Sequence, residues 1–168
     1  MKTLFSIFFL LFTTTVALAQ DSFEQAVYHS EGDSLQYRIQ YPLNYDQTKK
    51  YPLVLFLHGA GERGSDNQSQ LTHGSELFAN PGMRNAFPAI VIFPQCPKDS
   101  YWANIDVDRS NYPIGITFHP DQKPTPHLKM AGELVSSFIE EGKVDTSRVY
   151  IAGLSMGGMG TDEMGQRH

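Results

Sequence analysis

A serine flanked by glycines two residues before and two residues after it is the most chemically informative feature of this sequence. It lies in Gly153-Leu154-Ser155-Met156-Gly157-Gly158, directly after a short apolar run that is typical of a buried strand. In the pattern G-x-S-x-G, a sharp strand-to-helix turn exposes the serine oxygen in a strained conformation, and Gly153 and Gly157 let the two elements approach closely. The pattern therefore predicts nucleophilic attack by Ser155 on a carbonyl group. A glycine-rich turn that serves only packing, or an anion site at a helix N-terminus, is the alternative interpretation.

A second glycine-rich loop agrees with this chemistry. His58-Gly59-Ala60-Gly61 follows an earlier apolar run, and its backbone N–H groups could stabilise the negative charge that develops on an attacked carbonyl oxygen. We expect the two donors of this oxyanion hole to be the N–H groups of Ala60 and Met156. His58 is not expected to be the catalytic base, because a histidine beside glycine at the end of a buried strand more often bonds the loop backbone.

The elements that position these loops can be predicted from the pattern of apolar residues. Alternation on both sides of Glu31-Gly32-Asp33-Ser34 indicates a β-hairpin. Continuous apolar runs at Tyr51–Leu57, Pro88–Phe93 and Val149–Ala152 indicate strands covered on both faces, as in parallel sheets. Residues 94–124 are irregular, and we expect them to form a rim of the site.

One helix is predicted between the last two of these strands. Thr125 and Pro126 supply an N-cap and a first-turn proline, and Gly142 ends the helix. The apolar residues between them follow helical spacing, namely Leu128, Ala131, Leu134, Val135, Phe138 and Ile139. The order hairpin, strand, strand, helix, strand predicts an α/β fold with a largely parallel sheet.

Composition excludes several classes of function. The 168 residues carry a net charge of −5 without any basic run, which argues against nucleic-acid binding. The single cysteine, Cys96, excludes an intramolecular disulfide scaffold and a cysteine-based structural zinc site. Asp106, Asp108, His119 and His127 show no spacing typical of metal ligands, and we expect no metal or other cofactor.

The first nineteen residues have the layout of a secretory signal peptide. Lys2 precedes an apolar stretch over residues 4–11, and Ala17-Leu18-Ala19 forms an A-x-A cleavage signal. A membrane anchor is the alternative, but Thr13-Thr14-Thr15 interrupts a segment that would need about 20 apolar residues to span a bilayer. We therefore predict a signal peptide over residues 1–19, a single domain over residues 20–168, and a secreted or periplasmic protein without a stable membrane span.

Several motifs together resemble the secreted α/β-hydrolases known as predicted peptidases and esterases. The resemblance covers about residues 35–168 and rests on the segments Tyr51–Asn67, Phe93–Pro97 with Trp102, and Asp145–Thr161. Similar families include phospholipase/carboxylesterase-like, polyhydroxybutyrate depolymerase-like and prolyl-oligopeptidase-like hydrolases. The resemblance implies an α/β-hydrolase fold and a serine hydrolase that cleaves small or polymeric carboxylic esters through a Ser155 acyl-enzyme. A serine peptidase of the same fold and a non-catalytic secreted binding domain are the alternatives.

The sequence departs from this family after the serine. The resemblance implies that an acidic residue and a histidine follow the nucleophile, whereas only Thr161 to His168 follow this G-x-S-x-G segment. His168 lies thirteen residues after Ser155 on the same predicted helix and is not expected to reach it. We therefore expect an N-terminal portion of the fold, truncated after the nucleophile elbow and inactive on its own because it lacks a complete triad.

The signal-peptide interpretation predicts a mature protein that begins at or near Gln20. Intact-mass spectrometry of secreted or periplasmic material measures this directly. An intact Met1 on membrane-bound protein would contradict the interpretation.

Overall fold

A five-stranded mixed sheet forms the centre of the protein in its computed structural model, which describes residues 22–119 and 121–167. The order across this sheet is β1-β2-β4-β3-β7, and β5 and β6 form a separate antiparallel ribbon. The strands are β1 Glu24–Ser30, β2 Asp33–Gln40, β3 Tyr51–Leu57, β4 Ile90–Pro94, β5 Ile105–Asp108, β6 Gly115–Phe118 and β7 Val144–Gly153. The predicted signal peptide and His168 lie outside the described residues.

Four helices accompany the strands within the described residues, and two of them are long. They are α1 Ser75–Ala79, α2 Pro81–Ala86, α3 Pro126–Glu140 and α4 Met156–Arg167, and short 3-10 turns occur at Ala60–Glu62 and Ser69–Leu71. None of the helices within residues 22–119 and 121–167 is both long enough and apolar enough to cross a membrane.

The predicted hairpin and the parallel strands are confirmed. β1 and β2 pair antiparallel across a turn in which Glu31 and Gly32 both adopt positive φ, and β2 pairs antiparallel with β4. β3 lies between β4 and β7 and runs parallel to both. The carboxyl ends of these three strands therefore meet at one edge of the sheet, where the loops after β3 and β7 lie side by side.

Alternate residues of the central strands belong to two different apolar clusters, one on each face of the sheet. Leu53, Leu55 and Leu57 of β3 face the larger cluster, which also contains the apolar residues of α3 and α4. Val54 and Phe56 face the other side, where Phe23, Leu71, Phe78 and Phe93 cover them. The period of two along β3 and β4 thus gives each sheet face its own core.

Helix α3 forms as its sequence predicts. The Thr125 side chain accepts a hydrogen bond from Leu128 N–H, and Pro126 occupies the first turn. The buried residues of the helix are those of the predicted stripe together with Met130, while Ile139 is partly buried. Gly142, at φ +74°, ends the helix and its N–H donates to the Ile139 carbonyl.

The prediction that the last strand is covered on both faces is wrong. β7 is longer than predicted and lies at the edge of the sheet, and Tyr150 is 54% exposed. A continuous apolar run cannot distinguish a central strand from an edge strand, because both contain the same residue types. Residues 94–124 contain the β5–β6 ribbon, which was not predicted because its strands have only four residues each.

Candidate active site

Ser155 lies on the short turn that joins the end of β7 to the start of α4. Only Leu154 and Ser155 separate the two elements, and Ser155 has φ +53°, the left-handed region that a serine seldom occupies. Hydrogen bonds fix the turn on both sides: Leu154 N–H donates to the Leu57 carbonyl, and Gly157 N–H donates to the Leu154 carbonyl. The serine side chain is exposed, so the strained backbone presents its hydroxyl to solvent at the sheet edge.

Two glycines allow this turn to exist because backbone atoms occupy the places of their missing side chains. A Cβ on Gly157 would lie 1.8 Å from the Leu57 carbonyl oxygen, and a Cβ on Gly153 would lie 2.2 Å from the Gly157 carbonyl. The first turn of α4 therefore rests directly on the end of β3. Gly153 and Gly157 have the packing role that the sequence pattern predicts.

The loop after β3 lies beside the serine as a result of this contact. The Cβ position of Gly59 is 3.8 Å from Ser155 Cβ, and Ala60 follows Gly59 directly. Within residues 22–119 and 121–167, no backbone acceptor pairs with the N–H of Ala60 or of Met156. Two free N–H donors thus border Ser155, one from the β3 loop and one from the N-terminus of the twelve-residue helix α4.

The His58 ring bonds backbone groups of the two loops beside it. Its Nε2 accepts a hydrogen bond from Cys96 N–H at 2.9 Å, so Nδ1 carries the proton and donates to the Gly59 carbonyl at 2.7 Å. The His58 carbonyl accepts from the Trp102 indole at 3.1 Å. Burial lowers the pKa of His58, which keeps the ring neutral. Both ring nitrogens are therefore engaged by backbone, in agreement with the expectation that His58 is not the base.

Gln95 holds the next part of the same loop, a role that the sequence did not reveal. This buried side chain accepts from Asn67 N–H at 2.7 Å and donates to the Glu62 carbonyl and the Asp66 carboxylate. Burial raises the pKa of Asp66, but hydrogen bonds from Ser69, Gln95 and the backbone outweigh it and hold the pKa below its usual value. The sequence signal for this role was that Gln95, a polar residue, directly follows the buried strand β4.

Arg63 fastens the loop to the segment after β4. Its guanidinium donates to the carbonyls of Ala60, Lys98 and Ser100, and it lies 4.5 Å from the centre of the Tyr101 ring. The Ala60 N–H shares its planar peptide unit with the Gly59 carbonyl, so the hydrogen bond from His58 to that carbonyl fixes the direction of the N–H, while Arg63 holds the next peptide unit through the Ala60 carbonyl. The segment after β4 thus contacts the β3 loop through the carbonyls of Lys98 and Ser100, and the expectation that residues 94–124 form a rim of the site stays a prediction.

No base for Ser155 is found among the described residues. No hydrogen bond joins the Ser155 hydroxyl to a histidine within residues 22–119 and 121–167, and His168 lies outside them. Ser100, His127 and Asp33 do lie near one another, and His127 Nδ1 is 3.0 Å from Ser100 Oγ. However, His127 Nε2 is 3.9 Å from Asp33, which is too long for a hydrogen bond, so these residues do not form a triad.

The remaining polar candidates have ordinary structural partners. His119 bonds Asp106 at 2.8 Å, and the described residues contain no cluster of three or more possible metal ligands. Asn67 of the Asn-Gln-Ser glycosylation sequon is buried, and its amide bonds Ala26 and Gln70. Burial raises the pKa of the Cys96 thiol to about 12, which makes it a poor nucleophile.

Two of the solved structures that superimpose on this chain are esterases. The crystal structure of a thermostable esterase superimposes with a TM-score of 0.74 at 35% sequence identity, and the match covers 88% of this chain and 38% of that one. The described chain has the α/β-hydrolase fold. A ferulic acid esterase has the same fold at 22% identity and a TM-score of 0.52, with 87% of this chain and 55% of that chain covered.

Sequence comparison adds one short match. The chain is 34% identical over 65 residues to a probable dipeptidyl-peptidase 5 of Aspergillus niger, a match that covers 39% of this chain and 9% of the peptidase. No protein-family model matches the chain. This chain therefore spans well under two thirds of the length of both the peptidase and the thermostable esterase.

Replacement of Gly157 by alanine is expected to disrupt the contact between α4 and β3. The new methyl group would overlap the Leu57 carbonyl, so we expect a loss of at least about 3 kcal/mol in the free energy of unfolding. Gly158→Ala is the matched control, because its nearest neighbour, the Gly153 carbonyl oxygen, is 3.7 Å away and alanine favours helix by about 0.5–1 kcal/mol. Denaturant unfolding measures both variants, and equal stability of the two would contradict this packing.

The buried neutral His58 predicts a loss of stability on mild acidification. Its folded pKa is lowered by burial, so below pH ~6.5 the unfolded chain binds a proton that the folded chain resists, and stability falls by up to about 1.4 kcal/mol per pH unit. His58→Gln should be less stable at pH 7.5 yet show a shallower decline to pH 5. His127, whose pKa burial also lowers, keeps part of the slope.

Exposed His29 provides the control for this measurement. His29→Gln leaves the buried ring in place and should retain the slope of the unchanged protein in thermal unfolding. A His58→Gln slope as steep as that of the unchanged protein would show that the His58 ring is not held neutral.

Proposed function

We propose that this protein is a serine hydrolase that cleaves carboxylic esters through an acyl-enzyme on Ser155. The observation that carries the proposal is the strained Ser155 turn placed beside two free backbone N–H groups. The esterase identity of the structural neighbours supports the same chemistry.

The proposed reaction gives a role to each group. The Ser155 oxygen attacks the ester carbonyl carbon and forms a tetrahedral intermediate, and the Ala60 and Met156 N–H groups donate to its negatively charged oxygen. The positive end of the α4 dipole favours the same charge. Collapse of the intermediate breaks the ester C–O bond, the departing oxygen takes the proton that the base removed from Ser155, and the acyl group stays on Ser155. Water then attacks this acyl-enzyme, gives a proton through the base to Ser155 Oγ, and releases the acid. The proposed reaction needs no cofactor.

The proton of Ser155 requires an acceptor, since a serine hydroxyl alone is a weak nucleophile. We propose that the histidine and the acidic residue of the triad come from outside the described residues, and that the 168-residue chain alone is inactive. We further propose that the protein acts in the periplasm or outside the cell, as the signal-peptide prediction requires. The match to a dipeptidyl-peptidase favours a serine peptidase as the second candidate.

Hydrolysis of p-nitrophenyl butyrate tests this proposal. The 168-residue chain should show no measurable turnover, whereas a longer form that adds an acidic residue and then a histidine in further strands should be active. Ser155→Ala should abolish that activity, because the triad members act as a unit and the remaining site gives only roughly 10³–10⁴-fold acceleration over water.

Ser136→Ala on the exposed face of α3 is the control and should leave the activity unchanged. Activity that survives Ser155→Ala would exclude Ser155 as the nucleophile. Robust turnover by the 168-residue chain that is lost in His168→Ala would show instead that His168 reaches Ser155, for example from a second copy in a dimer.

A further inference from the structure

Glu62 places a carboxylate beside the serine turn. The Cβ position of Gly59 lies 2.9 Å from Glu62 Oε2 on one side and 3.8 Å from Ser155 Cβ on the other. Glu62 and Ser155 therefore border the same small space above Gly59. This is the space next to the Ala60 N–H, where the proposed reaction would hold the substrate carbonyl.

The protein itself does not neutralise this carboxylate well. Its one ion-pair partner among the described residues is His73, 3.7 Å from Oε1 and 59% exposed, and Arg63 bonds backbone carbonyls instead. The Glu62 side chain is only 13% exposed, yet no hydrogen bond to Oε2 is found within residues 22–119 and 121–167. Because the Glu62 side chain is partly exposed and Oε2 has no protein donor among the described residues, a donor group of a substrate can reach this oxygen and bond it.

The position of Glu62 is fixed through its backbone. Its carbonyl accepts from Gln95 Nε2 at 3.2 Å, and its N–H lies 3.4 Å from the Gly59 carbonyl in the 3-10 turn. The carboxylate is thus part of the same rigid loop as Ala60. A fixed charge that needs no rearrangement can discriminate between substrates more sharply than a mobile surface charge.

The sign of this charge decides which substrates it favours. A carboxylate close to an oxyanion repels it, so for a neutral ester Glu62 is a disadvantage. A substrate with an ammonium group close to its scissile carbonyl gains a charge-assisted hydrogen bond and removes the repulsion. The same residue therefore slows one class of substrate and accelerates the other.

We propose that Glu62 is the specificity-determining residue of this site, and that its carboxylate binds a primary ammonium group located a few bonds from the scissile carbonyl. The proposal rests on the function proposed for Ser155 and adds the substrate class. Amino-acyl esters and esters of short amino alcohols have this chemistry.

Two matched phosphonates test the proposal by covalent labelling of Ser155 in the longer form of the protein, which adds the acidic residue and the histidine. One p-nitrophenyl methylphosphonate carries a 2-aminoethyl ester and the other a propyl ester, and the rate of p-nitrophenolate release is measured, with the adduct located by mass spectrometry. The unchanged protein should react about tenfold faster with the amine probe, as expected for one partly desolvated charge pair. Glu62→Gln should lose this preference and react with the propyl probe at least as fast as the unchanged protein does.

Glu76→Gln makes the same charge change at an exposed position on α1 and should keep the preference. The thermal midpoint of Glu62→Gln should stay close to that of the unchanged protein, because the ion pair that is lost is a 3.7 Å contact with the exposed His73. Equal slowing of both probes by Glu62→Gln would overturn the proposal and assign Glu62 a role in holding the loop.

Two further outcomes separate this inference from the function on which it rests. Labelling of Ser155 by both probes without preference would overturn the role of Glu62 and leave Ser155 as the nucleophile. No labelling of Ser155 by either probe in the folded longer form would overturn the proposed function and the role of Glu62 together.

Discussion

The contact between the first turn of α4 and the carboxyl end of β3 is the constraint on which the rest of the site depends. It is a contact between backbones, because the missing side chain of Gly157 leaves room only for the Leu57 carbonyl. With the helix seated there, the chain has two residues in which to pass from β7 into α4, and Ser155 takes the left-handed conformation. The same contact brings the β3 loop beside the serine.

Polar side chains then make the β3 loop rigid. His58 joins it to β4 through Cys96, Gln95 holds the peptides of Glu62 and Asn67, and Arg63 holds the Ala60 carbonyl. Each of these side chains bonds backbone groups and so supplies hydrogen bonds that the loop backbone would otherwise lack. The N–H groups of Ala60 and Met156 have no backbone partner among the described residues, and both lie next to Ser155. Fixed donors of this kind are what stabilisation of an oxyanion requires.

Those parts of the fold that depend on local sequence could be predicted, and those that depend on tertiary neighbours could not. The Glu31-Gly32 turn, the extent of β3 and both ends of α3 follow from turn chemistry, apolar pattern and capping, and all are confirmed. The exposure of Tyr150 on β7 was not predicted, because an apolar run indicates burial from residue types and does not show which elements cover a strand. The positions of Ser155 and its glycines on the turn follow from their spacing, whereas the hydrogen bonds of Gln95 required knowledge of which loops meet.

The central claim is that Ser155 and the N–H groups of Ala60 and Met156 form one catalytic site. A crystal structure of the protein after reaction with a p-nitrophenyl phosphonate tests it most directly. The claim predicts phosphorus bonded to Ser155 Oγ and a phosphoryl oxygen about 2.7–3.1 Å from both backbone nitrogens. A phosphoryl oxygen that points to solvent, or an adduct on a different residue, would contradict it.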